Sequence, residues 1–336
     1  MEVKLYVNAR FVTQTLTGVQ RYAFEISKQL LLLYPTIEFL QPVQPKQPWA
    51  ESLPTTQLGK HRGTIWEQWD LVRYFKKQPQ AVLLNLCNTA PLSYSNQWIC
   101  LHDLAFIHFP NSFSYAFRTW YGWLIPKIVQ QSKGIFTVSE TIRQEIIKTY
   151  QINSAKITVA GNGIPSFPKT SYPKEKWLLS VGSLTGRKQT DKLIHAFLQC
   201  DELAEYTLIH VGSSMTIFNS PELPSHPRLK RYANLTDDAL IELYAKSELF
   251  ISYSAYEGFG LPVAEAIHFG CKVLCADIPV YRELFSEYVY FCATQEQSLK
   301  QALAHMPQQI LPDLTSFYEK FSYAQSASII LEKINE

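Results

Sequence analysis

No run of about 18 consecutive apolar residues occurs, so no membrane-crossing helix is expected. Neither sign of charge dominates: 31 Lys and Arg against 29 Asp and Glu leave a formal net charge of +2. That balance gives no case for a nucleic-acid partner. The first apolar strand, Val3 to Val7, is not followed by Gly-x-Gly-x-x-Gly, which removes the fingerprint of an NAD-dependent oxidoreductase. The strand begins without a basic and then apolar leader, so no signal peptide is expected. Cysteine is sparse. Cys87, Cys100, Cys200, Cys271, Cys275 and Cys292 sit mostly in apolar runs, as reduced buried thiols of a cytoplasmic protein would. Cys271 and Cys275 lack a second pair at zinc-ligand spacing, and no metal site is expected.

What is present is apolar and aromatic: 336 residues, 46% hydrophobic, 13% aromatic and 18% charged. This suits about two domains, at roughly 100–200 residues each. The most informative stretch is Leu249 to Cys275. Leu249 to Tyr253 predict a short buried strand, Gly258 and Gly260 a loop with unusual backbone angles, and Pro262 the first turn of a helix. Gly270 falls at the helix C′ position, and Lys272 to Cys275 predict the next strand. Glu257 precedes the helix and Glu265 lies a little over one turn inside it. Both can face one crevice at the carboxyl end of a parallel sheet, where open α/β sheets bind ligands. Free N–H groups at the helix start favour an anion there, and carboxylates suit sugar hydroxyls.

Upstream, Trp177 to Val181 predict a strand that runs through Gly182 and Gly186 to Arg187 and Lys188 at a helix start, where the two cations can neutralise a diphosphate. The strand Trp98 to Leu101 ends in His102 and Asp103, again at a ligand-binding edge. Thr17 is placed to cap a helix that starts at Gly18 and carries Arg21, Tyr22, Ile26 and Leu30. Residues 41–57, with several prolines, predict an irregular loop. Trp66 to Arg73 predict a helix. Ser114 to Gln131 read as a core-facing helix pair broken at Pro126, with weak peripheral membrane contact through Arg118, Trp123 and Lys127 as the alternative. Ser139 and Thr236 are helix caps. The prolines after Asn162-Gly163 mark a linker, with the domain boundary near Pro168–Pro173.

Tyr256-Glu-Gly-Phe-Gly-Leu-Pro-Val-Ala-Glu-Ala resembles the Glu-x7-Glu element of the family 4 retaining nucleotide-sugar glycosyltransferases. Thr17-Gly18-Val-Gln-Arg21-Tyr, His102-Asp103, Thr137-Val-Ser-Glu140, Gly182 to Lys188 and Tyr232-Ala-Asn-Leu235 are similar to further elements of that family, in its order. Gln20 departs from the family's second glycine, and Ser183 from a Gly-Arg that adds a cation.

The resemblance implies an α/β GT-B fold, two Rossmann-like domains facing across a cleft. Residues 1–168 would form the acceptor-binding domain and 169–315 the nucleotide-sugar domain, with 316–336 a helix packing back on the first. It implies His102, Glu257, Arg187 and Lys188 as catalytic residues. Gly18, Asp103, Arg187, Lys188, Ala233, Asn234, Glu257, Gly258, Phe259, Gly260, Leu261 and Glu265 would bind the donor, with Glu265 on the ribose and His102 and Glu257 on the sugar. Arg21, Arg62 and Trp66 are weak acceptor candidates, with core packing the favoured role for the tryptophan. The reaction expected is transfer, with retention of anomeric configuration, from a nucleoside diphosphate sugar to a saccharide or lipid-linked acceptor. No metal or other cofactor is required. Bacterial surface-polysaccharide or lipopolysaccharide assembly is the implied setting, in the cytoplasm or at the inner face of the plasma membrane. A non-catalytic sugar-nucleotide-binding subunit and a nucleotide-sugar hydrolase or epimerase are the alternatives. Sugar, base, acceptor and oligomeric state stay open.

Overall fold

The computed structural model describes residues 4–165, 167, 172–212, 224–233, 235–305 and 314–336. The chain divides into two compact units, each built on one sheet. The first comprises Met1–Leu104, Thr119–Pro165 and Tyr318–Glu336; the second comprises Ala105–Arg118 and Ser166–Phe317. Residues 105–118, assigned from the sequence to the N-terminal half, therefore group with the second unit. Aromatic contacts account for it: the rings of His108 and Phe109 lie 5.3 and 5.9 Å from that of Tyr256.

The first unit holds β1 (Leu5–Asn8), β2 (Glu38–Pro42), β3 (Thr56–Leu58), β4 (Val82–Asn85), β5 (Gln97–Leu101), β6 (Gly134–Thr137) and β7 (Ile157–Val159), in spatial order β3-β2-β1-β4-β5-β6-β7. Every pairing is parallel. β1, β4, β5 and β6 are buried along their whole length, as parallel strands covered on both faces must be. β3 begins at the end of the proline-rich stretch read as irregular. It is a three-residue edge strand, mostly exposed, too short and polar to leave a periodic signal.

The helix Gly18–Leu33 packs against the C-terminal helix Tyr323–Asn335. Ile164 N–H donates to the Phe321 carbonyl at 3.0 Å. A Cβ on Gly163 would lie 2.4 Å from the Tyr323 nitrogen, so that close approach requires glycine.

Two local expectations fail. Thr17 occupies the N-cap position but its side chain makes no capping bond; its hydroxyl turns instead to the Gln20 side chain. Tyr115–Gln131 is one helix with Pro126 inside it. The residue four positions earlier, where the proline ring presses, is Gly122, whose backbone can yield. Ser139 does cap its helix, accepting from Ile142 N–H at 3.3 Å. Ser139→Ala should cost about 1 kcal/mol, read as a lower urea midpoint with an unchanged slope.

The second unit holds β8 (Glu175–Val181), β9 (Thr207–Val211), β10 (Leu229–Tyr232), β11 (Ser247–Ser252), β12 (Lys272–Ala276) and β13 (Tyr290–Cys292), ordered β10-β9-β8-β11-β12-β13, all parallel. The helix Leu261–His268 carries Pro262 in its first turn. It ends in a Schellman motif: Gly270 (φ +69°) donates to Ile267 and Cys271 to Ala266, both at 3.0 Å. All six cysteines are free thiols.

Candidate functional site

In the second unit the chain runs β8, β9, β10 outward on one side and returns to place β11 on the other side of β8. The border between β8 and β11 is therefore the topological switch point, where the loops leaving the carboxyl ends diverge and open a crevice. The loop after β8 delivers Arg187 and Lys188; the loop after β11 delivers Glu257. Arg187 Nη1 donates to Glu257 Oε2 at 3.0 Å and to the Tyr256 carbonyl at 2.7 Å. Lys188 Nζ donates to Glu257 Oε1 at 2.5 Å. Ala255 N–H donates to the Arg187 carbonyl at 2.9 Å, tying the loops together by backbone.

All three side chains are largely buried. Burial alone would push the Glu257 carboxyl up, but the adjacent Lys188 and Arg187 charges outweigh it and hold it at about 2. The carboxylate is thus ionised at neutral pH. Two cations converge there on one carboxylate, a grouping suited to an anionic ligand.

The turn beneath is shaped by glycine. Gly260 has φ +101°, and a Cβ there would sit 2.5 Å from the Tyr281 ring, so no larger residue fits. Gly258 and Phe259 are buried in the same turn and Leu261 opens the helix. Glu265 is buried one turn further, where its Oε2 accepts from the Tyr244 hydroxyl at 2.8 Å. Ala233 is exposed just past β10, and Asn234 lies outside the described residues.

The first unit has its own switch point, between β1 and β4. Asn8 and Asn85 end these strands. Asn8 Nδ2 donates to Glu67 Oε1 at 2.8 Å and to Asn85 Oδ1 at 3.0 Å. Glu67 Oε2 pairs with Arg10 Nη1 at 3.3 Å, and Arg10 Nη2 donates to Thr89 Oγ1 at 2.9 Å. Sequence reading missed this network. Its trace is faint: Asn85 interrupts the apolar run Val82 to Leu86, and Glu67 sits between two tryptophans. Glu67 faces inward from a π-helical turn, Trp66–Asp70, which shifts the side-chain phase away from ordinary helical spacing.

His102 follows β5 and is buried. Its Nε2 lies 2.8 Å from the Leu86 carbonyl, which can only accept, so the proton is on Nε2. Burial lowers its basicity and keeps the ring neutral. Nδ1 is then the acceptor face of the ring. Tyr22 meets the ring edge-on at 4.7 Å, and Asn88 Oδ1 accepts from the His102 backbone N–H at 2.8 Å. Asp103 and Arg21 are half-buried and Gly18 is exposed at its helix start, where a Cβ would meet nothing. Arg62 is exposed. Trp66 is withdrawn as an acceptor candidate. It is fully buried with Tyr6, Leu40, Leu71 and Phe75, and its indole N–H donates to the Leu58 carbonyl at 2.8 Å; its role is packing.

Two parallel sheets, each with charged or polar groups gathered at its switch point, define the class of open α/β proteins that bind ligands at the carboxyl ends of their strands. Residues 165–314 match the family described as glycosyl transferases group 1, and residues 16–166 match glycosyltransferase family 4. The chain is 28% identical over 283 residues to the O-antigen chain mannosyltransferase RfbU of Salmonella typhimurium, covering 80% of this chain and 77% of that protein. It is 32% identical over 160 residues to the serotype-specific mannosyltransferase WbdA of Escherichia coli, covering 45% of this chain and only 18% of that larger protein. In fold it is similar to Anabaena Alr3699/HepE, solved in complex with UDP, at a TM-score of 0.69 and 13% identity across 100% of both chains. The chain belongs to the family 4 glycosyltransferases, with the GT-B fold.

Proposed function

We propose that the protein is a retaining glycosyltransferase. It moves a glycosyl unit from a nucleoside diphosphate sugar to a hydroxyl of a saccharide or lipid-linked acceptor, in bacterial surface-polysaccharide assembly. The observation that carries the reading is the Arg187–Glu257–Lys188 cluster at the β8/β11 switch point. In the reaction the bond between the anomeric carbon and the diphosphate oxygen breaks, and a bond to the acceptor oxygen forms on the same face. The acceptor proton passes to the leaving diphosphate. Negative charge builds on that diphosphate, and preorganised cations facing it lower the barrier. Arg187 and Lys188 supply that charge, so the reading calls for no resident metal. Glu257 holds both cations in place and reaches the sugar hydroxyls. Glu265, oriented by Tyr244, accepts from the ribose. His102 offers Nδ1 to a hydroxyl of the transferred sugar.

RfbU and WbdA are named as mannosyltransferases, which makes mannosyl the first glycosyl group to test. With such an acceptor, the reading expects the enzyme to act in the cytoplasm or at the inner face of the plasma membrane. Among the described residues no helix is long and apolar enough to cross a membrane.

GDP-, UDP- and dTDP-sugars should be screened by thermal shift, and the best ligand used in a transfer assay with the product's anomeric configuration read by NMR. One nucleotide class should raise the melting temperature by several degrees when far above its Kd, and the product should keep the donor's configuration. No stabilisation by any of them would overturn the donor reading; an inverted product would overturn retention.

A further inference from the structure

His210 lies on β9, beside the strand that leads into the Arg187–Lys188 loop. It is 1% exposed, and neither ring nitrogen has a hydrogen-bond partner among the described residues. Buried polar groups are nearly always paired, so an orphaned imidazole in a sheet calls for a reason.

Its surroundings supply one. Gly182 ends β8 and its N–H donates to the Val211 carbonyl at 2.9 Å. A Cβ on Gly212 would lie 1.8 Å from the Gly182 carbonyl oxygen and 3.1 Å from His210 Nε2. The imidazole therefore points along the strand toward its carboxyl end, beside the Gly182 carbonyl, and only glycine at 212 leaves the two strand ends this close. A Cβ on Gly182 would in turn meet the Lys188 Cε at 3.3 Å and Nζ at 3.5 Å. Imidazole, Gly182 carbonyl and Lys188 ammonium thus form one short series. Burial, and then the charges of Arg231 and Lys188, hold the ring down at about 4, against the Gly182 carbonyl, which favours the protonated ring. It is neutral at physiological pH, with one N–H to donate and no charge to oppose Lys188.

We propose that His210 is a positioning residue of the donor site, whose ring N–H holds the Gly182 carbonyl and so sets the loop in which Lys188 meets the diphosphate. This rests on the donor reading given above. The Gly182 carbonyl already acts on the ring, and the contact reaches full hydrogen-bond geometry as the loop tightens on the diphosphate, adding to ligand affinity. Stability is given up so that the phosphate loop can be set by its ligand.

The test compares wild type, His210→Leu and His210→Gln, with GDP and UDP as probes, by isothermal titration calorimetry and thermal melts. Leucine fills the space without a donor; glutamine keeps an N–H. We expect His210→Leu to melt no lower than wild type without nucleotide, yet to bind the preferred diphosphate about tenfold more weakly. His210→Gln should recover most of that affinity. Undiminished binding by the leucine variant overturns the inference. So does an equal loss in both variants, which would mean packing rather than a hydrogen bond. If wild type binds neither GDP nor UDP, dTDP takes their place as the probe; if it binds none of the three, the donor reading itself falls and takes this inference with it, whereas binding by wild type with no effect at 210 sinks only the latter.

Discussion

Arg187→Ala is expected to lower kcat about 10²- to 10³-fold while leaving the protein folded. The size follows from the loss of one preorganised cation facing a developing oxyanion in a site sheltered from water. Arg187 is also the group that ties the two switch-point loops, since one guanidinium nitrogen donates to both Glu257 and the Tyr256 carbonyl. Arg187→Lys should recover part of the loss, because both contacts come from one nitrogen and an ammonium also carries several donors on a single nitrogen. A steady-state transfer assay alongside a urea melt decides it. Wild-type turnover in a folded Arg187→Ala protein would remove this residue from the mechanism.

Glu257→Ala should act on stability before it acts on chemistry. The carboxylate neutralises two mostly buried cations. Removing it takes away the carboxylate that bridges Arg187 and Lys188, and breaking a buried pair in this way costs about 3–5 kcal/mol. Adding Lys188→Met should restore part of that loss, because the second change removes one of the stranded charges. The pH dependence runs the same way. Glu257 is held at about 2 in the folded protein, below the usual carboxylate range. Its stabilisation is therefore fully present above the unfolded value of about 4.3 and is lost as pH falls toward 2. Wild type should lose on the order of 3 kcal/mol across that window from this group alone, and Glu257→Gln should show a flatter curve over the same range. Parallel pH profiles for the two proteins would show that the cluster does not set the acid limb.

How much was legible beforehand depended on range along the chain. The strand, glycine turn, helix and Schellman stop between Leu249 and Cys275 are local, and each follows from residue type: buried β-favouring side chains, a φ available to glycine, a proline without an N–H, a glycine in the left-handed region. The His102-Asp103 and Arg187-Lys188 pairs were legible for the same reason, the first as polar residues just past an apolar strand and the second as cations in a glycine-containing loop before a helix. Trp66 carried two readings because an aromatic side chain gives one signal for two fates, ligand platform or core; the core reading holds, and its burial is decided by Tyr6, Leu40, Leu71 and Phe75. The Asn8–Glu67–Arg10 network joins positions up to 59 residues apart, and a π-helical turn changes the phase on which pattern reading relies.

The order of residues by itself determined the elements and the identities of the charged groups, because backbone preference and hydrophobic burial act over a few positions. The tertiary structure alone decided that Glu257 spends its charge on two cations about 70 residues earlier. It also decided that Glu265 meets Tyr244, and that His210 is buried without a partner among the described residues. Those outcomes depend on which strand lies beside which. Strand order is set by the packing of whole layers, which no short stretch of sequence contains.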